Sequence, residues 1–166
     1  MYGGIFLKFY EIDPDYVDYI GTFEPHLYHN SKAGQAHSRK FLGIVFQVNG
    51  LDFFAPLSSF KPKFARMKQN PGLVKVGRFA VISLINMFPV PKECCLPVVF
   101  ARIPDEKYRN LLKQEYRIIA AKESLIRKNA AELYKQKVLL QLDTPLTQRC
   151  VDFALLEQAC LKYACR

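Results

Sequence analysis

The sequence predicts an α+β domain: a twisted antiparallel sheet, drawn as a partly open barrel, with helices around it and a helical last third. Three observations carry that prediction. Strand-like runs rich in Phe, Val and Ile crowd the first hundred residues. Two of them, FLGIVFQV and LDFFAPL, flank Asn49-Gly50, and such a pair around Asn-Gly marks a hairpin with a tight primed turn. In the last third, Leu111, Ile118 and Leu125 recur every seven residues, as do Leu112, Ile119, Ile126 and Leu133, which is an amphipathic helical stripe. Strands first and helices last, with one early helix, is the α+β order.

The elements follow in turn. Ile5 to Ile12 reads as a strand, with Phe9 and Tyr10 favouring extended backbone. Asp13-Pro14 supplies an N-cap and a first-turn proline for a short helix ending near Ile20-Gly21. His26 to Lys40 is polar and contains Gly34, so it reads as a loop. After the hairpin, Ser58 to Pro71 is an irregular basic segment with room for a helical turn. Leu73–Val76 and Phe79–Met87 read as strands. Val90 to Ile103 carries prolines at 91 and 97, with Pro104 just beyond, so a strand there belongs at a sheet edge. The amphipathic stripe fits one long helix or two joined by a kink near Ser124, packed on the chain's own sheet. Asp143-Thr144-Pro145 interrupts it, and Asp152 caps a final helix through LLEQACLKY.

The 166 residues, half of them hydrophobic, suit one domain with a proper core, 1–166. No run approaches a membrane span. The start MYGGIFLKFYEID meets acidic residues too early for a signal peptide, so the expectation is a cytoplasmic protein without a membrane partner. The five cysteines form no C-x-x-C pair, which favours reduced thiols over zinc or a disulfide framework.

Charge is the strongest functional signal. From Pro25 to Lys92 there are ten bases and one acid, Asp52, a surplus of nine that equals the net +9 of the whole chain. All three histidines lie there too. Such segregation is expected of a polyanion partner. Lys63, Arg66, Lys68, Lys75 and Arg78 are assigned to phosphate contacts on this ground, with Arg39 and Lys40. Phe60 and Phe64, interleaved with the bases, suit stacking on unpaired bases or packing beneath the loop.

The same stretch excludes several chemistries. It contains no phosphate loop, no dinucleotide fingerprint, no H-E-x-x-H and no aspartate cluster. Two-metal nucleases need several converging carboxylates. A nuclease built here must use histidine, lysine, arginine, serine and tyrosine, and expects no cofactor and no metal. RNA permits this, because its 2′-hydroxyl attacks its own phosphate. The protein then supplies a base, an acid for the 5′-oxygen and donors for the phosphorane. The products are a 2′,3′-cyclic phosphate and a 5′-hydroxyl. His37 is a secondary catalytic candidate because histidine titrates near neutrality.

The run FLGIVFQVNGLDFFAPLSSFKPKF resembles the ToxN/AbiQ family of type III toxin–antitoxin endoribonucleases, which has a glycine-centred strand, a hairpin and an A-P-L-[ST]-S-x-K loop; here that loop is Ala55 to Lys61. LKFYEIDPDYVDYI is similar to the family's opening strand and helix, and CVDFALLEQACLKY to its closing helix. The resemblance implies metal-independent cleavage of single-stranded, often adenine-rich RNA, with cellular and phage mRNA as substrates and phage defence by abortive infection as the setting. It implies an RNA antitoxin, cut by the toxin from tandem repeats into single pseudoknots and held in the active-site groove of a closed assembly of toxin and RNA. It places Ser58, Ser59 and Lys61 in the active-site loop. Lys61 would stabilise the phosphorane or protonate the leaving oxygen; the serines would bond phosphate oxygens or orient the 2′-hydroxyl. The family also uses a tyrosine and a lysine four residues later, a spacing met by Tyr28 and Lys32, with Arg39 or Lys40 as alternative occupants of the basic position. Two other readings share the charge pattern: a barrel-type mRNA-cleaving toxin with a protein antitoxin, and a non-catalytic RNA-binding module.

Overall fold

The computed structural model describes residues 6–27 and 38–164. Among these residues seven strands form one antiparallel sheet: β1 (Lys8–Ile12), β2 (Phe41–Val48), β3 (Leu51–Ser59), β4 (Leu73–Val76), β5 (Ala80–Ser83), β6 (Phe88–Pro89) and β7 (Cys95–Pro97). The spatial order is β4-β5-β3-β2-β1-β7, with β6 paired to β3 beside that path. Among the described residues β4 and β7, the two ends of that order, do not pair, so the sheet does not close into a barrel. The proline-bearing β7 is an edge strand.

The β2–β3 hairpin is the centre of the sheet. Asn49 and Gly50 both take positive φ, 52° and 75°, the geometry of a primed turn that Asn-Gly adopts at low cost. Val48 faces Leu51 and Phe41 faces Pro56, with a slip in register between Gly43 and Phe46. Gly43 is opposite Phe54, and the Phe54 ring lies so close over it that a Cβ would collide with the ring. The far end of β3 crosses to a second partner: Leu57, Ser58 and Ser59 pair with Ile82, Val81 and Ala80 of β5. The two serines thus belong to a strand and not to the irregular segment expected after it.

Helix α1 (Pro14–Gly21) starts as expected, with the Asp13 carboxylate accepting from Asp15 N at 2.9 Å. Helix α2 (Pro62–Ala65) is the single helical turn of the basic segment. Strand β5 stops at Ser83, where the residues Leu84–Asn86 turn as a 3-10 helix, so the expected Phe79–Met87 strand is shorter. Leu84 N continues the ladder to Gly72 O at 2.9 Å, and Ile85 N shares that same acceptor at 3.2 Å as the chain enters the 3-10 turn.

The amphipathic stripe forms two helices, α3 (Glu106–Ala121) and α4 (Glu123–Tyr134), joined at Lys122. Asp105 caps α3 through Tyr108 N at 3.2 Å. The stripe residues Leu112, Ile119, Ile126 and Leu133 are all buried. A π-helical turn (Lys135–Leu139) continues α4. Thr144 then does more than end the pattern: it caps a short helix, α5 (Pro145–Arg149), through a capping box with Thr147. Asp152 opens the last helix, α6 (Phe153–Ala164), by accepting from Leu155 N at 3.1 Å.

Aromatic residues build much of the core. Phe41, Phe53, Phe54, Phe88, Tyr16 and Phe153 are fully buried. Tyr134 of α4 packs on Phe46 at 4.8 Å and stacks on Phe153 of α6 at 6.2 Å. Cys94, Cys150 and Cys160 are buried free thiols, and Cys95 is half-buried and free. Among the described residues no helix is long and apolar enough to cross a membrane.

Candidate nucleic-acid cleft

At the open end of the hairpin, away from the Asn49-Gly50 turn, the surface folds into a cleft of about 320 Å³, large enough to hold one nucleotide. Four segments line it: Ser38 to Lys40 before β2, the end of β3, the loop through Lys61 to Phe64, and the first half of α3. Phe79 and Ala80 complete the wall.

Each polar group is placed by an identifiable local cause. Ser58 and Ser59 end a strand held on β5. Lys61 is the extended residue before α2, with φ −115° and ψ 153°; its carbonyl accepts from Phe64 N at 2.9 Å, while its side chain stays exposed. Phe64 is buried beneath it, with Phe60 at 6.1 Å between ring centres. Packing beneath the loop is therefore the role of Phe64; Phe60 is half-buried. Lys63 lies over the Phe64 ring at 5.2 Å and lines the cleft.

Arg39 ties the upstream segment to the serine strand. Its Nη1 donates to Leu57 O at 2.7 Å and to Ser58 Oγ at 3.2 Å. Lys40 is buried. Its ammonium is 3.1 Å from Glu11 Oε1, donates to Ser38 O at 3.2 Å, and sits 5.6 Å above the Tyr108 ring.

The cleft thus brings together Ser58, Ser59, Lys61, Arg39, Lys40 and Lys63. Arg66, Lys68, Lys75 and Arg78 are not among its lining residues. Arg66, Lys68 and Arg78 are exposed nearby in the chain, whereas Lys75 is held down, its ammonium donating to Met67 O at 2.8 Å. Tyr28, Lys32, His29 and His37 lie outside the described residues.

The sequence singled out neither Ser38 nor the α3 residues Tyr108 and Glu115, which also line the cleft. Tyr108 and Glu115 share a helical face with Leu111 and Leu112, at spacings of three and four. Tyr108 has its hydroxyl pushed up to about 12, chiefly by desolvation and then by the Glu115 and Glu11 carboxylates. Glu115 is 5 % exposed, and desolvation pushes its carboxyl up to about 7. The available signal was a carboxylate inside an apolar helical stripe. Among the described residues no group of three or more His, Cys, Asp or Glu side chains is placed to hold a metal ion.

Comparison with known proteins agrees with this architecture. The chain is 28% identical over 165 residues to the endoribonuclease ToxN of Bacillus thuringiensis subsp. kurstaki, covering 94% of this chain and 84% of that protein. It is 24% identical over 170 residues to the endoribonuclease AbiQ of Lactococcus lactis subsp. lactis, covering 95% and 90%. A structure solved in work on selective toxin inhibition by a non-coding RNA pseudoknot in type III systems superposes with a TM-score of 0.84 at 27% identity, over 98% of this chain and 100% of that one. The family model described as toxin ToxN, type III toxin–antitoxin system, matches residues 8–161. A match over nearly the whole length, carried on the same sheet, means that the chain belongs to the ToxN family of type III toxin–antitoxin toxins.

Proposed function

We propose that this chain, an endoribonuclease of the ToxN family, cuts single-stranded, adenine-rich RNA by transesterification in the cleft at the open end of the hairpin. The observation that carries the proposal is the convergence of Ser58, Ser59 and Lys61 with Arg39, Lys40 and Lys63 on one groove whose described lining includes one carboxylate. A phosphodiester is drawn to such a groove by charge and fixed by hydroxyl and guanidinium donors. Lys61, exposed and on the rim, donates to the phosphate or to the leaving 5′-oxygen. Ser59, also exposed, bonds a non-bridging oxygen. Ser58 is held by Arg39, so the two act as one preorganised donor pair. One carboxylate is too few for a two-metal mechanism, and the 2′-hydroxyl is the nucleophile. Tyr28, Lys32 and His37 remain candidate catalytic residues.

The regulating partner is proposed to be an RNA pseudoknot cut from its own repeat precursor and retained in the cleft after cleavage. The related toxin described as selectively inhibited by a non-coding RNA pseudoknot supports this reading, as does the gathering of the whole net charge between Pro25 and Lys92.

Incubation with adenine-rich RNA in EDTA tests the chemistry. The expected products carry 2′,3′-cyclic phosphate and 5′-hydroxyl ends; a requirement for magnesium, or 3′-hydroxyl ends, refutes it. Sequencing RNA that copurifies with the protein, expressed together with its gene neighbourhood, tests the partner. One short repeat-derived species is expected, and a protein antitoxin in its place refutes that part.

A further inference from the structure

Eight polar or charged residues are buried among those described: Lys40, Asp52, Ser83, Asn86, Glu115, Arg127, Thr147 and Glu157. Seven are engaged by hydrogen bonds or ion pairs. Lys40 meets Glu11 and Ser38; Asp52 accepts from Gln47 at 2.8 Å; Ser83 accepts from Asn86 at 2.8 Å. Arg127 donates to Ile44 O at 2.8 Å; Thr147 answers Thr144 and Leu142; Glu157 accepts from Tyr134 at 2.7 Å. Glu115 is the exception: among the described residues no hydrogen bond or ion pair engages its carboxylate. A buried carboxylate in that position is costly to keep, and this one lines the cleft that holds Ser58, Ser59 and Lys61.

We infer that Glu115 is the general base of the RNA cleavage, taking the proton from the attacking 2′-hydroxyl. The inference deepens the proposed transesterification and rests on it. As the 2′-oxygen–phosphorus bond forms, the hydroxyl proton passes to a Glu115 Oε. As the phosphorus–5′-oxygen bond breaks, the leaving oxygen takes a proton from the Lys61 ammonium. Glu115 ends protonated and Lys61 neutral, and both reset by exchange with water.

The surroundings keep Glu115 fit for this task. Its own helix presents Tyr108, Leu111 and Leu112 to the cleft; β3 presents the neutral Ser58 and Ser59; the wall at Phe79 and Ala80 is apolar. The charged groups facing the cleft are Arg39 and Lys40 before β2 and Lys61 and Lys63 near α2. Arg39 is directed to Leu57 and Ser58, and Lys40 to Glu11. The carboxyl is poised at about 7, where a general base is most effective near neutral pH.

The test uses the full-length Glu115→Gln variant, which keeps the shape but has no proton-accepting oxygen pair, and an adenine-rich RNA that the wild-type protein cuts. Single-turnover cleavage is expected to fall at least about 100-fold, while affinity for the 2′-O-methyl form of that RNA stays within about twofold. The wild-type rate should climb with pH up to about 7; the variant should lose that limb. A substrate with sulfur at the bridging 5′ position needs no acid, so it should restore cleavage to Lys61→Ala and leave Glu115→Gln impaired. Wild-type rates in Glu115→Gln, a loss that follows weakened binding alone, or rescue of Glu115→Gln by the sulfur substrate would each overturn the assignment while the transesterification stands. Failure of the wild-type protein to leave cyclic-phosphate ends overturns the transesterification itself.

Discussion

Two buried glutamates mark the two ends of the β2–β3 hairpin, and they are treated differently. At the turn end, Glu157 of α6 accepts from the Tyr134 hydroxyl at 2.7 Å and from Asn49 at 3.4 Å. The turn, α4 and α6 are thereby stitched together, and the burial of the charge is compensated. At the open end, Glu115 of α3 is as deeply buried, at 5 % against 7 % exposure, yet it lines a cleft in which no described residue compensates it. One end commits its polar groups to cohesion. The other leaves the Glu115 carboxylate facing a space, at a cost in stability that a purely structural end would not carry. Functional sites are where such departures from full satisfaction concentrate.

The sharpest break of this comparison is Lys61→Ala. Lys61 makes no side-chain cap bond and is exposed, so melting should be unchanged. Cleavage should fall about a thousand-fold, roughly 4 kcal/mol of transition-state stabilisation. Retained cleavage would show the open end to be a surface like any other.

Stability against pH is the next test. Burial raises the Glu115 carboxyl from 4.5 to about 7, so the folded protein holds that proton more tightly than the unfolded chain. The folded state is therefore favoured below about pH 4.5 and loses that advantage as pH rises through about 7. Glu115→Gln should melt with the wild type at the acid end. Above pH 7 it should be the more stable by about 3 kcal/mol. Parallel melting curves across that range would mean that Glu115 is compensated after all.

The turn end should respond the other way. Tyr134→Phe removes the 2.7 Å bond to Glu157 and should cost about 2 kcal/mol, read by chemical denaturation, with the cleavage rate of the folded protein unchanged. The smallest effects belong to the outlying bases. Arg66→Ala and Lys68→Ala alter exposed side chains outside the cleft lining. Stability should move by less than about 0.5 kcal/mol, and each substitution should flatten the slope of RNA affinity against salt by less than about one unit. An unchanged slope would confine the RNA to the cleft itself.

Much of the frame was legible in the residues. Asn49-Gly50 between two strand runs specified the hairpin, because that dipeptide accepts positive φ where others do not. Asp13-Pro14 and Asp152 specified helix starts through their caps. The seven-residue recurrence specified α3 and α4, and of the two forms it allowed the structure has the one with a joint near Ser124, at Lys122. Strand lengths were less legible. Ser58 and Ser59 are strand because Val81 and Ala80 come to them, and β5 ends where Leu84 and Ile85 share Gly72 O at the start of a 3-10 turn. Both are contacts between distant residues.

The chain alone determined that a basic stretch exists, that a hairpin crosses it, and that a basic segment follows the hairpin, since charge, turn chemistry and period are local properties. Tertiary structure decided which bases share a cleft, that Lys40 pairs with Glu11, and that α3 lines that cleft with Tyr108 and Glu115. Those outcomes depend on burial and on partners far along the chain. A carboxylate reads in sequence as a solvated charge until packing removes its water.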